Sequence, residues 1–209
     1  MPKGSEALTN ARREEIINAC EKLYETMSFK EVTIKEIGQA TTFTRTSIYN
    51  YFQTKEEIFL ALIEREFTRW NESLETSLMQ SVTLSREELA EILADTLSER
   101  MLMLKILSMN MFDIEAHSRL DCLIDFKRAF AQSFALVDAL LQKTQPALDE
   151  EARQAFIYAF FPFMYGIYPY TATTEKQRAA VQAIGFKFTY YTPRDMILQT
   201  ARNMLAVCP

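Results

Sequence analysis

Apolar residues recur at intervals of three and four along almost the whole chain, the period of a helix that turns one face to a core. Ile16, Ile17, Cys20, Leu23, Tyr24 and Met27 define a first helix over Asn10 to Met27. Thr33, with Glu36 three residues on, reads as a capping box that opens a short second helix carrying Ile34 and Ile37. Thr41-Thr42 breaks it, and Thr44 is a suitable N-cap for a third helix, Arg45 to Tyr51. Thr54 with Glu57 starts a long fourth helix, striped by Ile58, Phe59, Leu62, Ile63, Phe67 and Trp70 and continuing to Leu74 and Leu78. Ser85 with Glu88 opens a helix that runs to about Leu97, and the run Met101 to Phe112 follows it. Leu123, Phe126, Phe130, Phe134, Val137 and Leu141 mark another helix, stopped before Pro146. Asp149 starts the next, through Tyr168. Thr174 to Tyr191 and Pro193 to Val207 complete the set, with Pro193 at a first helical position after Thr192. No alternating strand pattern exceeds four residues. The expected fold is all-α, with about nine or ten helices.

Composition supports that picture. Four glycines and six prolines in 209 residues are few interruptions, and 48% apolar residues suffice for a real core. No apolar run reaches the roughly 18 residues of a membrane span, and the N-terminus lacks the apolar stretch of a signal peptide. A soluble, cytoplasmic protein with no membrane partner is expected. Cys20, Cys122 and Cys208 are far apart and form no metal-ligand or redox spacing, so they read as buried or idle thiols. The single histidine, His117, lies among Asp113, Glu115, Asp121 and Asp125. One imidazole makes a solvated acidic loop the better reading than a metal site. No nucleophile elbow, phosphate-cradling glycine loop or paired cysteine is present, so neither an enzyme nor a cofactor is expected.

Charge is distributed unevenly. Residues 1–55 hold eight Lys/Arg and seven Asp/Glu, and the rest hold fifteen and twenty-one, so a balance of +1 precedes one of −6. Such a chain would offer only its head to phosphates. Within that head, Ile37, Phe43, Ile48 and Phe52 would tie the second and third helices together and dock them on the first. Arg45, Thr46, Ser47, Tyr49, Asn50 and Tyr51 are then left outward or at the flanks. Arg45 suits a guanine edge and Asn50 an adenine edge or a phosphate. Thr46 and Ser47 permit close approach, and Tyr49 and Tyr51 carry hydroxyls for phosphates. Thr33, Thr44 and Lys55 stand at helix N-termini, which favour anions. These residues point to a double-stranded DNA partner read by a helix-turn-helix.

The segment resembles the N-terminal signature of the TetR family of transcriptional repressors. That pattern is a Thr-opened helix, an Ile-Ala-x-x-Ala-Gly-Val-Ser turn and a reader ending Tyr-x-Tyr/His-Phe-x-x-Lys-x-x-Leu. Thr33, Ile37, Phe43, Thr44, Thr46, Tyr49, Tyr51, Phe52, Lys55 and Ile58 fall on it without a gap. Thr41-Thr42 stands where the family has Ala-Gly, a substitution costing about 1 kcal/mol if the turn takes positive φ. Gly38 replaces a usual Ala inside a helix, at a similar cost of about 1 kcal/mol. The resemblance implies a DNA-binding head (1–55), an all-helical ligand-binding and dimerisation body (56–209), and a homodimer on a near-palindromic operator.

For the body, two surfaces are expected. Ala152, Ala155, Phe156, Ala159, Phe160 and Phe163 form one apolar face of the Ala152–Tyr170 segment, and Ile157, Phe161, Met164 and Tyr168 form another. One face would meet the body and the other a second copy, joined by Ile184, Phe188 and Tyr191. A wholly internal core helix is the alternative. Met101, Met103, Met109, Met111 and Phe112, with Phe130, Phe134, Phe160, Phe161, Met164, Tyr165 and Tyr168, would line a cavity for a small apolar effector. Plain core packing is the alternative for each of them. The expected function is a ligand-responsive dimeric repressor released from its operator by that effector. The competing reading is a helical protein–protein adaptor with a vestigial DNA-binding head.

Overall fold

The computed structural model of the chain describes residues 3–42 and 44–207, with side chains from residue 7 onward. The expectations placed on Phe43 and Cys208 therefore lie outside the described residues. Ten α-helices are present among them: α1 (Lys3–Thr26), α2 (Ile34–Gln39), α3 (Arg45–Ile48), α4 (Lys55–Gln80), α5 (Arg86–Ser98), α6 (Met101–Ala116), α7 (Leu120–Thr144), α8 (Glu150–Thr171), α9 (Glu175–Ala183) and α10 (Pro193–Val207). No helix of the described residues is long and apolar enough to cross a membrane. Contacts divide the chain into two compact units. One holds the residues up to Arg65 together with Asn110–Arg128, and the other holds Glu66–Met109 and everything from Ala129 onward.

In the first unit, α1 buries Ile16, Ile17, Cys20 and Tyr24, and α4 answers with Ile58, Phe59, Leu62 and Ile63. Tyr24 meets Phe59 edge-on at 5.0 Å between ring centroids, and Phe29 tilts onto the same ring at 4.7 Å. The helix α1 starts seven residues before Asn10. Those residues carry no apolar stripe, and Leu8 is exposed. Without such a stripe, periodicity could not reveal this extension. The reader helix α3 is shorter than expected. It keeps α geometry only to Ile48, and Asn50 and Tyr51 then close tighter i→i+3 bonds to Ser47 and Ile48.

In the second unit, α10 packs chiefly on α5 and also on α8. Leu89, Leu93 and Leu97 of α5 and Ile197, Ala201 and Leu205 of α10 are buried. Arg194 pairs with Asp95 at 2.5 Å, and Arg202 pairs with Glu87. Phe67 and Trp70 of α4, Phe130 and Phe134 of α7, and Phe161 of α8 form a ring cluster with centroids 4.0–6.3 Å apart. The Ser85–Glu88 capping box and the Asp149 and Thr192 caps are formed as their spacing predicts. Helix α8 continues through Pro162 and Pro169.

The segment Thr174 to Tyr191 is not one helix. It stops at Ala183 in a Schellman cap, in which Gly185 at φ 65° donates to Gln182 O and Phe186 donates to Val181 O. Beyond it the chain has no regular structure up to Pro193. Phe186, Phe188 and Tyr190 alternate there and touch in a ladder, with centroids at 6.3 and 5.0 Å. That period of two is extended, not helical.

Candidate nucleic-acid interface

Helix α2 is built by one cap and one buried residue. Thr33 Oγ1 accepts from the Glu36 N–H at 3.4 Å, and Ile37 is fully buried. Helix α3 is built the same way. Thr44 Oγ1 accepts from the Ser47 N–H at 3.3 Å and shares a hydroxyl hydrogen bond of 2.9 Å with Ser47, while Ile48 and Phe52 are buried. The two helices approach closely at Gly38. A Cβ there would lie 3.5 Å from the Arg45 backbone nitrogen and 3.6 Å from Ile48 Cδ1. These are ordinary contacts, so alanine would fit.

The turn between them has no positive φ at Thr41 or Thr42, and none occurs at any non-glycine residue described. The steric cost expected for Thr41-Thr42 does not arise. The threonines act through their polar groups instead. Thr42 gives both its N–H and its hydroxyl to one oxygen of Glu15 at 2.8 Å, and Thr41 donates to the Gly38 carbonyl at 3.3 Å. The Thr42 backbone and side-chain hydrogen bonds hold the Glu15 carboxyl below the usual carboxylate range. Helix α1 thus braces the turn through Glu15.

The residues expected to meet DNA are gathered around α3. Thr33, Thr44, Arg45, Thr46, Tyr49 and Asn50 are exposed, and Ser47 and Tyr51 are half-buried. Arg45 donates to the Tyr49 hydroxyl at 3.3 Å, its guanidinium 5.9 Å from the ring centroid. The two side chains form one outward plate. Tyr51 Oη accepts from Arg12 of α1 at 3.3 Å. Lys55 lies at the start of α4 and is half-buried. Its ammonium donates to the carbonyls of Phe29 at 2.6 Å and Val32 at 3.2 Å and lies 4.2 Å from the Phe29 ring centroid. Two of its three donors fasten the loop after α1.

One feature of this unit escaped sequence reasoning. Thr54 caps α4 by accepting from the Glu57 N–H at 3.2 Å, but the Glu57 carboxylate does not return to Thr54. It is 1% exposed and accepts from Gln53 N–H at 2.7 Å and from Arg119 through its backbone N–H, Nε and Nη2 at 3.2, 2.7 and 3.1 Å. Burial pushes Glu57 up. The hydrogen bonds from Arg119 and from the Gln53 and Arg119 backbones outweigh it and hold the group ionised below its ordinary range. Thr54 Oγ1 also donates to His117 O at 3.1 Å. The corner between α6 and α7 is thus fastened to the start of α4. A single acid in a capping box gives no sign of a partner 62 residues away.

His117 itself is exposed, its Nδ1 2.8 Å from the Asp113 carbonyl. Glu115 pairs with Lys127 at 2.7 Å and Asp125 with Arg128 at 2.6 Å. Asp121 caps Cys122 N–H at 3.0 Å. Among the described residues no group of His, Cys, Asp and Glu is placed to hold a metal ion. Burial raises the thiols of Cys20 and Cys122 above their usual range.

Of the expected cavity residues, Met103, Phe161 and Met164 are buried, and Met101, Phe130, Phe134 and Tyr168 are half-buried. Met109, Phe112 and Tyr165 are exposed, Phe112 by 86%, so these three are not enclosed. Of the expected partner-facing residues, Phe156 and Phe160 are buried in this chain's own core. The outward stripe of α8 is Ala155, Tyr158, Ala159, Pro162 and Tyr165, while Phe163 is half-buried. Ile184 and Tyr191 are exposed and Phe188 half-buried. A groove of about 340 Å³ lies where α8 ends, lined by Pro169, Tyr170, Ala180, Val181, Phe188 and Tyr190.

The model of bacterial regulatory proteins of the tetR family matches residues 16–62, and that of the tetracyclin repressor-like C-terminal domain matches residues 64–191. Among curated proteins, the HTH-type transcriptional repressor Rv1474c of Mycobacterium tuberculosis is 26% identical over 98 residues. The match spans about half the length of each chain, 47% of both. Among solved structures, FadR from Bacillus subtilis in complex with stearoyl-CoA aligns over 94% of this chain and 98% of its own, with TM-score 0.59 and 15% identity. The fatty acid degradation regulator FadR from Bacillus halodurans aligns over 93% and 95%, with TM-score 0.58 and 14% identity. At such identities the likeness to solved structures is one of fold. The two family models between them take in the capped reader, its brace and most of the helical body, and the chain belongs to the TetR family of bacterial regulatory proteins.

Proposed function

We propose that this protein is a homodimeric transcriptional repressor that binds a near-palindromic operator through α3 and leaves it when a small apolar effector binds the body. One observation carries the reading. A Thr44-capped helix, braced by α2 and by Glu15 of α1, turns Arg45, Thr46, Tyr49 and Asn50 outward together. A reader of this length covers only a few base pairs, so two copies are needed for useful specificity. The outward stripe of α8, with Ala155 and Ala159 allowing close approach, is the surface assigned to the second copy.

Thr33, Thr44, Tyr49, Tyr51 and the remaining donor of Lys55 are assigned to phosphates, and Arg45, Thr46, Ser47 and Asn50 to base edges. Residues 1–55 serve as the reading head and 56–209 as the sensing and dimerising body. The effector site is assigned to Met101, Met103, Phe130, Phe134, Phe161, Met164 and Tyr168. Its occupant is an acyl-CoA or another long apolar molecule, a chemistry supported by the stearoyl-CoA bound to the Bacillus subtilis relative. The effector must favour the DNA-incompetent arrangement, since equal affinity for both shifts nothing. Helix α4, unbroken from Lys55 to Gln80, is the lever. The test is selection of duplexes from random DNA, followed by titration of the chosen operator with and without stearoyl-CoA. Enrichment of an inverted repeat, and its release by stearoyl-CoA, are expected. Recovery of random sequence alone would favour the adaptor reading.

A further inference from the structure

Helix α1 is placed against the reader by neighbouring side chains. Arg13 lies over the Phe52 ring, its guanidinium carbon 4.6 Å from the centroid. Glu15 holds Thr42 at the turn before the reader. These two contacts set the register of α1 beside both ends of α3. One residue before Arg13, exposed Arg12 donates through Nη1 to Tyr51 Oη at 3.3 Å. Because the phenol oxygen accepts from the guanidinium, its own O–H remains a donor.

Resting on the DNA-binding reading above, we propose that Arg12 is a further DNA contact, forming with Tyr51 a two-donor site for one backbone phosphate at the flank of the reader. A major groove of about 12 Å admits a helix of about 10–12 Å with little to spare. Side chains at the flank of that helix therefore meet the phosphate ridge and not a base. Tyr51 stands at this flank, three residues past the end of α3, and Arg12 extends the same edge. A guanidinium and a phenol O–H together match a phosphate with charge and direction. The contact is positional and carries no sequence information.

Each phosphate contact contributes about 0.9 to the slope of log affinity against log salt. The full-length protein is titrated with its selected operator and with random duplex between about 50 and 200 mM salt. Two variants are compared: Arg12→Ala, and Arg12→Gln, which keeps a donor for Tyr51 but loses the charge. Both are expected to flatten the operator slope by about 0.9 per copy, or about 1.8 for a dimer, and to weaken operator and random duplex alike. Arg12→Lys is expected to keep the wild-type slope. A wild-type slope in both uncharged variants, with Arg45→Ala still weakening operator binding, would overturn the assignment of Arg12 alone. No salt-dependent duplex binding by the wild type would overturn the DNA-binding reading and this assignment with it.

Discussion

At Gly38 a methyl group would meet the Arg45 backbone and Ile48 at ordinary distances, and the residue sits in a helix without positive φ. Glycine therefore costs the brace helix entropy without a steric return. Gly38→Ala is expected to stabilise the fold by about 1 kcal/mol. That would raise Tm by about 2–4 °C in a thermal melt. Unchanged or lowered Tm would mean that the brace must flex at this point. Glu15 is the opposite case, a group whose function lies in its charge. Its folded pKa lies below the unfolded value, so its contribution is present above the ordinary carboxylate range and is lost as pH falls through the lowered pKa. Glu15→Gln should leave the melt near neutral pH lower than wild type and narrow the gap as pH drops into the acid range. A gap independent of pH would show that Thr42 is held by something other than the carboxylate. Neither effect was legible in the sequence. The Thr41-Thr42 pair announced a departure from the family turn, but its remedy lies 27 residues earlier, on α1.

At the level of elements, the caps and stripes of α4, α5, α7, α8 and α10 were readable because each has a boundary residue with its own chemistry and a face fixed by burial. Capping is local, so Ser85–Glu88 and Thr192–Asp195 needed no tertiary information. Three features were not readable. The early start of α1 carries no apolar stripe that periodicity could register. The end of α9 depends on Gly185 reaching positive φ, and a run of aromatics at mixed spacing masked it. Glu57 was legible as half of a capping box but not as the anchor of the α6–α7 corner. Breaking that anchor tests its weight. Arg119→Ala leaves Glu57 buried without its guanidinium and is expected to destabilise the fold by about 2–3 kcal/mol, read as a lower midpoint in urea. A shift below about 0.5 kcal/mol would show that the Gln53 and Arg119 backbones alone satisfy the carboxylate. Gly185→Ala is expected to cost about 1 kcal/mol through strain at positive φ, with helix content otherwise kept.

For the molecule as a whole, the chain confines base- and phosphate-seeking groups to a nearly neutral head on an acidic body. The body's net negative charge disfavours its coating DNA, so affinity is expected to rest on the reader and on the proposed second copy. Tyr158 is 67% exposed, and Ala155, Ala159, Pro162 and Tyr165 share its face of α8, the uncharged stripe proposed above to meet a second copy. Ala159→Arg on that stripe is expected to give a folded monomer in sedimentation analysis, with operator affinity at least about tenfold weaker. All of this depends on α3 reading DNA. Its most direct test is an anisotropy titration of the selected operator by wild type and by Arg45→Ala, with random duplex as reference. Arg45→Ala is expected to weaken operator binding by about 1–3 kcal/mol per reading site and barely to change random-duplex binding. Equal affinity of the two proteins for the operator would contradict it.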